Sequence, residues 1–275
     1  ESGPQGYFPL RTFLSNQLKN SASINCSERE ILIVSGSLQA LDLVNTTFLR
    51  KGDTVIIEEE NYGGTISRLK KLGVNMIGIP LEKDGMDINY LEKELKKLES
   101  ENKKPRYIYT IPTIQNPTGT VMSVEKRRAL IEISKRFGIP IFEDDCYADL
   151  LYEKKRPPAI KSFDDEGYVI YCGSFSKSIA PALRVGYLVA NWDILSRVLP
   201  YKTDAGSGSL EQMALAEFCK NEFNDHVTNL RVELKKKSDV ICNALDKYFG
   251  SAANYQKPDG GIFIWVDMPE NVDTS

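Results

Sequence analysis

The sequence contains a single histidine, His226, which lies in the stretch NEFNDHVTNL. One histidine cannot build a histidine-rich metal site, and a Ser-His-Asp triad would depend wholly on that residue. We expect His226 to be an exposed residue of a helix. Any chemistry must therefore rest on lysine, aspartate, tyrosine, arginine and backbone amides.

Cysteine is also scarce. The five cysteines are an odd number at irregular spacing, and no two of them form a CxxC pair. This argues against a disulfide scaffold and against a zinc site, and it favours a reducing compartment. No apolar stretch approaches the roughly 20 residues that a membrane-spanning helix needs. We expect a cytoplasmic protein without a metal site, although a targeting segment could precede Glu1.

Neither sign of charge dominates the composition. The 35 basic and 38 acidic residues give a formal net charge of −3, so no basic excess indicates nucleic acid as a partner. The mixed-sign runs EKELKKLESENKK and RVELKKKSD are typical of solvated helix faces. With 275 residues, 41% of them hydrophobic, the chain can bury a sizeable core. We expect a globular protein that binds neither nucleic acid nor a membrane.

Seven short apolar runs alternate with amphipathic, charged stretches. We interpret the runs as buried strands and the stretches between most of them as helices. One such helix is SVEKRRALIEISKRFG, with Ser123 as N-cap and Gly138 at its end. Repeated strand and helix predicts an α/β fold with a doubly wound, mainly parallel sheet. The strands are expected at 30–36, 53–59, 74–81, 106–112, 139–145, 168–174 and 184–190.

The pattern changes from about Leu210 onward. Helical periodicity takes over, with a long stretch from Asp225 to Phe249, and an apolar run follows it. We expect a large domain at 1–222 and the beginning of a smaller α+β C-terminal domain at 223–275.

The apolar run GGIFIWVDM is interpreted as a strand of that smaller domain. It would place Ile262, Ile264 and Val266 on one face and Phe263 and Trp265 on the other. Such a strand needs partner strands and covering helices, and only ten residues follow Trp265. We therefore expect the small domain to be incomplete.

Residues with chemical potential follow the predicted strands, and ligands of such sheets bind beyond the carboxyl ends of the strands. After the first strand, Gly36, Ser37 and Leu38 would open a helix whose free amides can hold a phosphate, although an ordinary capped turn has the same pattern. After the fifth strand, Asp144 and Asp145 could bind a metal, cap a helix or face a cationic ligand atom.

Lys177 follows the sixth predicted strand, in YCGSFSKSIAPALRVGY. A lysine beside two strands usually decorates a solvated loop. Here, however, a possible phosphate turn, a carboxylate, the phenol of Tyr147 and a lysine all follow strands of one sheet. Pyridoxal 5′-phosphate needs this set, because it requires a lysine for a Schiff base, an acid to keep its pyridine nitrogen protonated and a phosphate cup. Tyr62, after the second strand, could stack on its ring.

Seven stretches of the sequence together resemble a known family. The combination of QNPTG, EDDxY and SFSK with an arginine seven residues on is highly specific. The chain resembles the class I and II aminotransferases of the fold type I, aspartate aminotransferase superfamily of pyridoxal phosphate enzymes, and most of all the branch with 2-aminoadipate and kynurenine aminotransferases. The resemblance covers nearly the whole chain through GPQGYFPLR, SGSLQALD, EENYGGT, IPTIQNPTGTVMS, FEDDCYADL, GSFSKSIAPALRVGY and KPDGGIFIWVDM.

The resemblance implies a role for each matched residue. Lys177 would form the Schiff base and carry the proton, Asp144 would pair with the pyridine nitrogen, and Tyr147 would complete the catalytic set. Without the resemblance, Asn116 could be only a turn former, Tyr62 a surface aromatic and Asp145 a structural carboxylate. The implied cofactor contacts are Tyr147 and Asn116 to the O3′ oxygen, Tyr62 to the ring face, and Ser37, the Leu38 amide, Ser174 and Arg184 to the phosphate.

The sequence departs from the family pattern in two places. Leu38 stands where this branch often has a polar residue, so the phosphate cup there would rely on the backbone amide. In this branch a tyrosine usually comes just before GPQG and reaches the partner subunit's phosphate. Here Glu1 occupies that region, so the tyrosine is either upstream or absent.

The activity that the resemblance implies is transfer of an amino group between an amino acid and a 2-oxo acid, in a homodimer with the active site near the subunit boundary. The alternative is the pyridoxal-phosphate-binding sensor domain of a winged-helix transcriptional regulator, and the intact QNPTG favours the enzyme. Lyases and decarboxylases share the fold. The family's substrate-carboxylate arginine lies in the small domain, and no arginine follows Arg231, so we expect this chain to carry most of the cofactor site without a working substrate site.

Overall fold

All seven apolar runs predicted as strands lie in one sheet. In the computed structural model, which describes residues 2–204, 206–269 and 272, each run forms a strand that is shorter than its prediction by up to two residues at either end. The strands are β1 (Ser2–Gly3), β2 (Gly6–Tyr7), β3 (Ile31–Val34), β4 (Thr54–Glu58), β5 (Asn75–Ile79), β6 (Leu81–Glu82), β7 (Gly85–Met86), β8 (Ile108–Thr110), β9 (Ile141–Asp144), β10 (Val169–Ser174), β11 (Gly186–Val189), β12 (Asn254–Tyr255) and β13 (Val266–Asp267).

The central sheet has the order β3-β11-β10-β9-β8-β4-β5. Neighbours from β10 to β5 are parallel, whereas β11 is antiparallel to both β10 and β3. Strands β3, β10 and β11 are buried at every residue, as expected for a sheet that is covered on both faces. The predicted α/β fold with a mainly parallel sheet is confirmed.

Helices cover the two faces of this sheet. On β3, Leu32 and Val34 pack in the same core as α2, while Ile31 and Ile33 pack with α1 and α7, which is the period-2 alternation of a strand. The helices are α1 (Phe8–Ala22), α2 (Ser37–Phe48), α3 (Gly63–Leu72), α4 (Ile88–Ser100), α5 (Val124–Phe137), α6 (Trp192–Val198), α7 (Ser209–Asn221) and α8 (Phe223–Tyr248). None that the structure describes is both long and apolar enough to cross a bilayer.

The predicted boundaries of α5 are confirmed. The side chain of Ser123 accepts a hydrogen bond from the backbone amide of Lys126 at 3.4 Å, and Gly138 ends the helix at φ 63° in the left-handed region. A hydroxyl acceptor at the start and a glycine at the end satisfy backbone groups that the helix itself leaves unpaired.

The prediction of one strand over GGIFIWVDM is wrong for most of its length. Only Val266 and Asp267 form a strand, β13, which pairs antiparallel with β12. Gly261 has φ 85°, a turn conformation that interrupts extended backbone. Ile262 and Trp265, expected on opposite faces, are both more than 40% exposed.

The expected domain boundary at residue 222 coincides with the start of α8, but the division into domains at 1–222 and 223–275 stays a prediction. Glu1 and part of the predicted small domain, residues 270, 271 and 273–275, lie outside the described residues.

The expectation that His226 is exposed is wrong. The side chain is half-buried in α8, and its Nε2 lies 2.9 Å from the carbonyl oxygen of Ser178. The ring also packs edge-on against Phe218, with centroids 5.5 Å apart. The single histidine therefore holds the loop that directly follows Lys177.

Candidate active site

A cavity of about 390 Å³ lies at the carboxyl ends of the parallel strands. Because these ends meet at one edge of the sheet, residues that are distant in sequence converge there. The structure brings every predicted site residue to this cavity, and none lies elsewhere. The residues are Ser37, Leu38, Tyr62, Asn116, Asp144, Tyr147, Ser174, Lys177 and Arg184.

A larger cleft, of about 700 Å³, lies at the opposite edge of the sheet. Its lining includes Tyr107, Pro140 and Tyr168, which immediately precede β8, β9 and β10. Its described lining includes arginines but no lysine, and none of the predicted site residues lines it. Size alone therefore does not identify the site, and the combination of carboxylate, phenol and amine does.

One end of the cavity is suited to an anion. Helix α2 begins at Ser37 after Gly36, whose φ is 82°, and the first amides of a helix have no acceptor within it. The Arg184 guanidinium donates to the carbonyl oxygen of Ser35 at 3.3 Å. A Cβ on Gly36 would lie 2.5 Å from Nη2 of Arg184, so the close approach of this cation to the turn requires glycine.

Asp144 ends β9 and presents an incompletely satisfied carboxylate to the cavity. Its Oδ2 accepts a hydrogen bond from the Tyr109 hydroxyl at 2.7 Å. Its Oδ1 is buried and lacks a hydrogen-bond partner of ordinary geometry. Burial raises the pKa of Asp144 above its usual value, because desolvation disfavours the charged form. A cationic ligand atom beside Oδ1 would stabilise the carboxylate.

A phenol and an amide are paired at the next position. Asn116 Nδ2 donates to the Tyr147 hydroxyl at 3.0 Å, and Phe263 packs edge-on against the Tyr147 ring at 5.3 Å between centroids. Burial raises the pKa of the Tyr147 phenol, so the phenol is a hydrogen-bond donor at neutral pH. Lys177 Nζ lies 5.8 Å from the centre of the same ring.

Tyr62 stands at the mouth of the cavity. It precedes the first residue of α3 and is 37% exposed. A Cβ on Gly64 would come within 2.4 Å of the Tyr62 ring, so the second glycine of NYGG leaves the space that this ring occupies.

Sequence reasoning missed the residues that hold Asp144. Tyr109 donates to Asp144, and Thr65 Oγ1 donates to the Tyr109 hydroxyl at 3.1 Å. Both side chains are fully buried. The signal available in the sequence was a tyrosine in the middle of a strand predicted to be buried, because a buried tyrosine hydroxyl needs a partner.

A second missed residue, Glu58, supports the loop that carries Asn116. Glu58 ends β4 and is 1% exposed. It accepts hydrogen bonds from the Thr110 hydroxyl, the Ile111 amide and Gln115 Nε2. Burial raises the pKa of Glu58 to about 7. An acid at the end of the apolar run TVIIE was the signal that this carboxyl would be buried and bonded.

Asp145 points away from the cavity. Its Oδ2 accepts hydrogen bonds from Arg156 Nη2 at 2.5 Å and from the Tyr171 hydroxyl at 3.4 Å. The interpretation of Asp145 as a structural carboxylate is confirmed. Because Asp144 and Asp145 have different partners, they do not form a joint metal site.

Comparison with known proteins identifies the family. The family model for aminotransferase class I and II matches residues 9–275, and the chain belongs to this family. The family and the fold type I class that the motifs indicated are confirmed. The cofactor of the family is pyridoxal 5′-phosphate, as the sequence predicts.

Curated relatives include both enzymes and regulators. Aromatic-amino-acid aminotransferase 1 of Thermococcus litoralis is 33% identical over 273 residues, which are 98% of this chain and 66% of that protein. An uncharacterized HTH-type transcriptional regulator of Bacillus subtilis is 35% identical over 275 residues, which are 99% of this chain and 56% of that protein. The chain thus spans less than two thirds of the length of these two relatives.

A solved structure shares the fold over the whole chain. The kynurenine aminotransferase of Pyrococcus horikoshii, solved in complex with PMP, has a TM-score of 0.94 at 34% identity, and the match covers 100% of this chain and 69% of that one.

The burial of Glu58 predicts a specific pH dependence of stability. The pKa of Glu58 is about 7 in the folded chain against a usual 4.5, so the folded chain holds this proton after the unfolded chain has released it. The stabilisation is complete below about pH 4.5 and is lost as the pH rises through about 7. Between about pH 4.5 and 7, the free energy of unfolding should fall further in the parent than in Glu58→Gln. The difference between the two falls should be on the order of 3 kcal/mol.

Urea unfolding at several pH values measures this difference. Glu59→Gln is the matched control, because Glu59 is the exposed neighbour of Glu58 and should keep the parent's pH dependence. Parallel profiles for Glu58→Gln and the parent would contradict the assignment.

Proposed function

We propose that this chain is the cofactor-binding part of a pyridoxal-phosphate-dependent aminotransferase, which moves an amino group between an amino acid and a 2-oxo acid. The observation that carries the proposal is the Asp144 carboxylate, whose buried Oδ1 lacks a hydrogen-bond partner of ordinary geometry, in the wall of a cavity that the Lys177 side chain also lines. A buried carboxylate oxygen without a partner costs free energy, and a protonated pyridine nitrogen is a cation that satisfies it.

The cavity residues fit the cofactor group by group. Ser37, the Leu38 amide, Ser174 and Arg184 would hold the phosphate, since they combine a helix N-terminus, hydroxyls and a guanidinium. At the other end, Asp144 would hold the pyridine nitrogen. Between them the cavity offers Tyr147 and Asn116 for the O3′ oxygen and Tyr62 for the ring face.

The chemistry divides between the cofactor and the chain. When bound, the cofactor supplies an aldehyde for covalent attachment and a protonated ring that withdraws electrons from the substrate Cα. Lys177 would hold the cofactor through Nζ, and the same amine, when free, would carry a proton between the substrate Cα and the cofactor C4′. Asp144 would keep the ring nitrogen protonated, and Tyr147 would donate a hydrogen bond to the cofactor from a hydroxyl that Asn116 orients.

The alternative function is that of a regulator's sensor domain. Relatives named as transcriptional regulators match this chain as well as relatives named as enzymes do. A sensor domain would bind the cofactor without turning over an amino donor. The intact QNPTG motif, whose Asn116 donates to the Tyr147 hydroxyl at 3.0 Å, supports the enzyme. A half-reaction assay with a panel of amino donors separates the two functions.

A homodimer in the cytoplasm is part of this proposal. Helices α1 and α7 pack together and expose Phe8, Leu210 and Met213, at 53%, 80% and 48%. A second copy of the chain would cover these side chains, and the five cysteines are free, as in a reducing compartment. We expect a dimer in analytical ultracentrifugation, and a monomer at micromolar concentration would contradict this part of the proposal.

Covalent trapping tests the role of Lys177. Borohydride treatment of the chain with pyridoxal 5′-phosphate should leave a phosphopyridoxyl group on Lys177, which peptide mass spectrometry locates. Lys177→Ala should lose this adduct, whereas Lys154→Ala should keep it, because the Lys154 side chain is 69% exposed and pairs with Asp259. An adduct at parental level in Lys177→Ala would refute the assignment.

Substitutions of the two neighbouring carboxylates, Asp144 and Asp145, should have different effects. We expect Asp144→Asn to bind the cofactor but to slow the half-reaction with amino donors on the order of 10³-fold, because the ring nitrogen loses the charge that keeps it protonated. Asp145→Asn should mainly lower stability, since it breaks a buried pair with Arg156 at a cost of about 3 kcal/mol or more.

Half-reaction rates, followed by the absorbance of the cofactor, and urea unfolding distinguish the two effects. Equal losses of rate in both variants at equal stability would show that Asp144 has no special relation to the cofactor.

A further inference from the structure

Two thiols lie beside the cavity carboxylate, and the proposed function uses neither. The Sγ atoms of Cys146 and Cys172 and a carboxylate oxygen of Asp144 all lie within 4.8 Å of one another. Within residues 2–204, 206–269 and 272, no other group of three histidine, cysteine or acidic side chains lies close enough together to share an ion. The cluster is therefore a singular feature of the described chain.

Backbone pairing holds the three side chains in place. Asp144 ends β9, and Cys172 is its register partner on the parallel strand β10. The amide of Asp145 donates to the carbonyl oxygen of Cys172 at 2.9 Å. Cys146 follows Asp144 by two residues, and it lines the cavity together with Asp144, while Cys172 is fully buried behind them. The cavity thus gives an ion a path to the cluster.

We propose that the cofactor-free chain binds one soft or borderline divalent cation, Zn²⁺ or Cd²⁺, through Cys146, Cys172 and Asp144. Two thiolates and a carboxylate are a donor set that such ions prefer over Mg²⁺ or Ca²⁺. Zinc bonds sulfur at about 2.3 Å, which puts two sulfurs of a tetrahedral site about 3.8 Å apart. Since the three ligand atoms already lie within 4.8 Å of one another, rotation of the side chains would bring them to bonding distance of one ion.

Two further features fit a bound ion. Asp144 Oδ1 is buried without an ordinary hydrogen-bond partner, so it can accept a metal bond without giving one up. Because Cys146 and Asp144 line the cavity, a water molecule from the cavity would supply the fourth ligand, as in zinc sites with three protein ligands. On binding, each thiol releases its proton to the solvent, so a divalent ion replaces two protons.

The site also predicts competition with the cofactor, and this part rests on the proposed function. If Asp144 Oδ1 pairs with the pyridine nitrogen, the ion and the ring nitrogen require the same oxygen. The ion and pyridoxal 5′-phosphate then exclude each other, and free Zn²⁺ would slow reconstitution of the cofactor-free chain.

Titration with Cd²⁺ tests the site directly. We expect the cofactor-free chain, kept reduced by a non-thiol reductant, to develop a thiolate-to-cadmium charge-transfer absorbance that saturates at one ion per chain. Cys146→Ser and Cys172→Ser should each weaken binding by more than the roughly 10- to 100-fold cost of losing an outer-shell partner. Cys26→Ser is the control, because Cys26 is not part of the cluster, and it should bind as the parent does.

Circular dichroism checks that the variants are folded, and Cys146→Ala serves as a second variant because Cys146 lies in the cavity wall. Absence of the absorbance in the parent, or its persistence at full intensity in both the Cys146 and Cys172 variants, would overturn the metal site. Saturation with pyridoxal 5′-phosphate should prevent the absorbance, and simultaneous binding would overturn the exclusion. A chain that binds Cd²⁺ in this way but takes up no pyridoxal 5′-phosphate would keep the metal site and refute the proposed function.

Discussion

The parallel pairing of β9 with β10 aligns the groups on which the site depends. Cys172 lies opposite Asp144 in the register, so the end of β10, Ser174, extends two residues beyond the carboxylate and delivers Lys177 to the same cavity. A shift of one residue would turn Asp144 to the other face of the sheet. The Asp145 amide, which donates to the Cys172 carbonyl, continues the pairing past the end of β9.

Strand alternation also separates three consecutive carboxyl groups. Glu143 and Asp145 point to one face of the sheet, where they lie near Arg127 and Arg156, with nitrogen to oxygen distances of 3.9 Å and 2.5 Å. Asp144 points to the other face, toward the cavity. Buried arginines stabilise carboxylates only as long as both partners remain. The two arginines thus lie beside the carboxyl groups of Glu143 and Asp145. Asp144, on the other face of the sheet, has no arginine partner among the described residues and remains available to a ligand.

Local patterns were sufficient for the sheet, because buried parallel strands appear as short apolar runs, and the motifs indicated the residues that line the cavity. What the sequence could not provide were contacts between distant segments. Tyr109 reaches Asp144 across 35 positions and His226 reaches Ser178 across 48, and no periodicity encodes either contact. The run GGIFIWVDM looked like a strand because its composition is apolar, but the backbone of Gly261 turns there. Cys146 and Cys172 are likewise brought together only by strand pairing.

The unsatisfied oxygen of Asp144 connects cofactor selection with the metal site. A buried polar atom without a partner costs about 1–3 kcal/mol, and the Tyr109 hydrogen bond prevents the carboxylate from turning away to find solvent. Any cation that reaches Oδ1 recovers this free energy, which favours a protonated pyridine nitrogen over a neutral ring. A metal ion at Oδ1 would recover the same free energy, and its bonds to the sulfurs of Cys146 and Cys172 would stabilise it further. The Asp144 carboxylate can therefore bind a metal ion until pyridoxal 5′-phosphate fills the cavity.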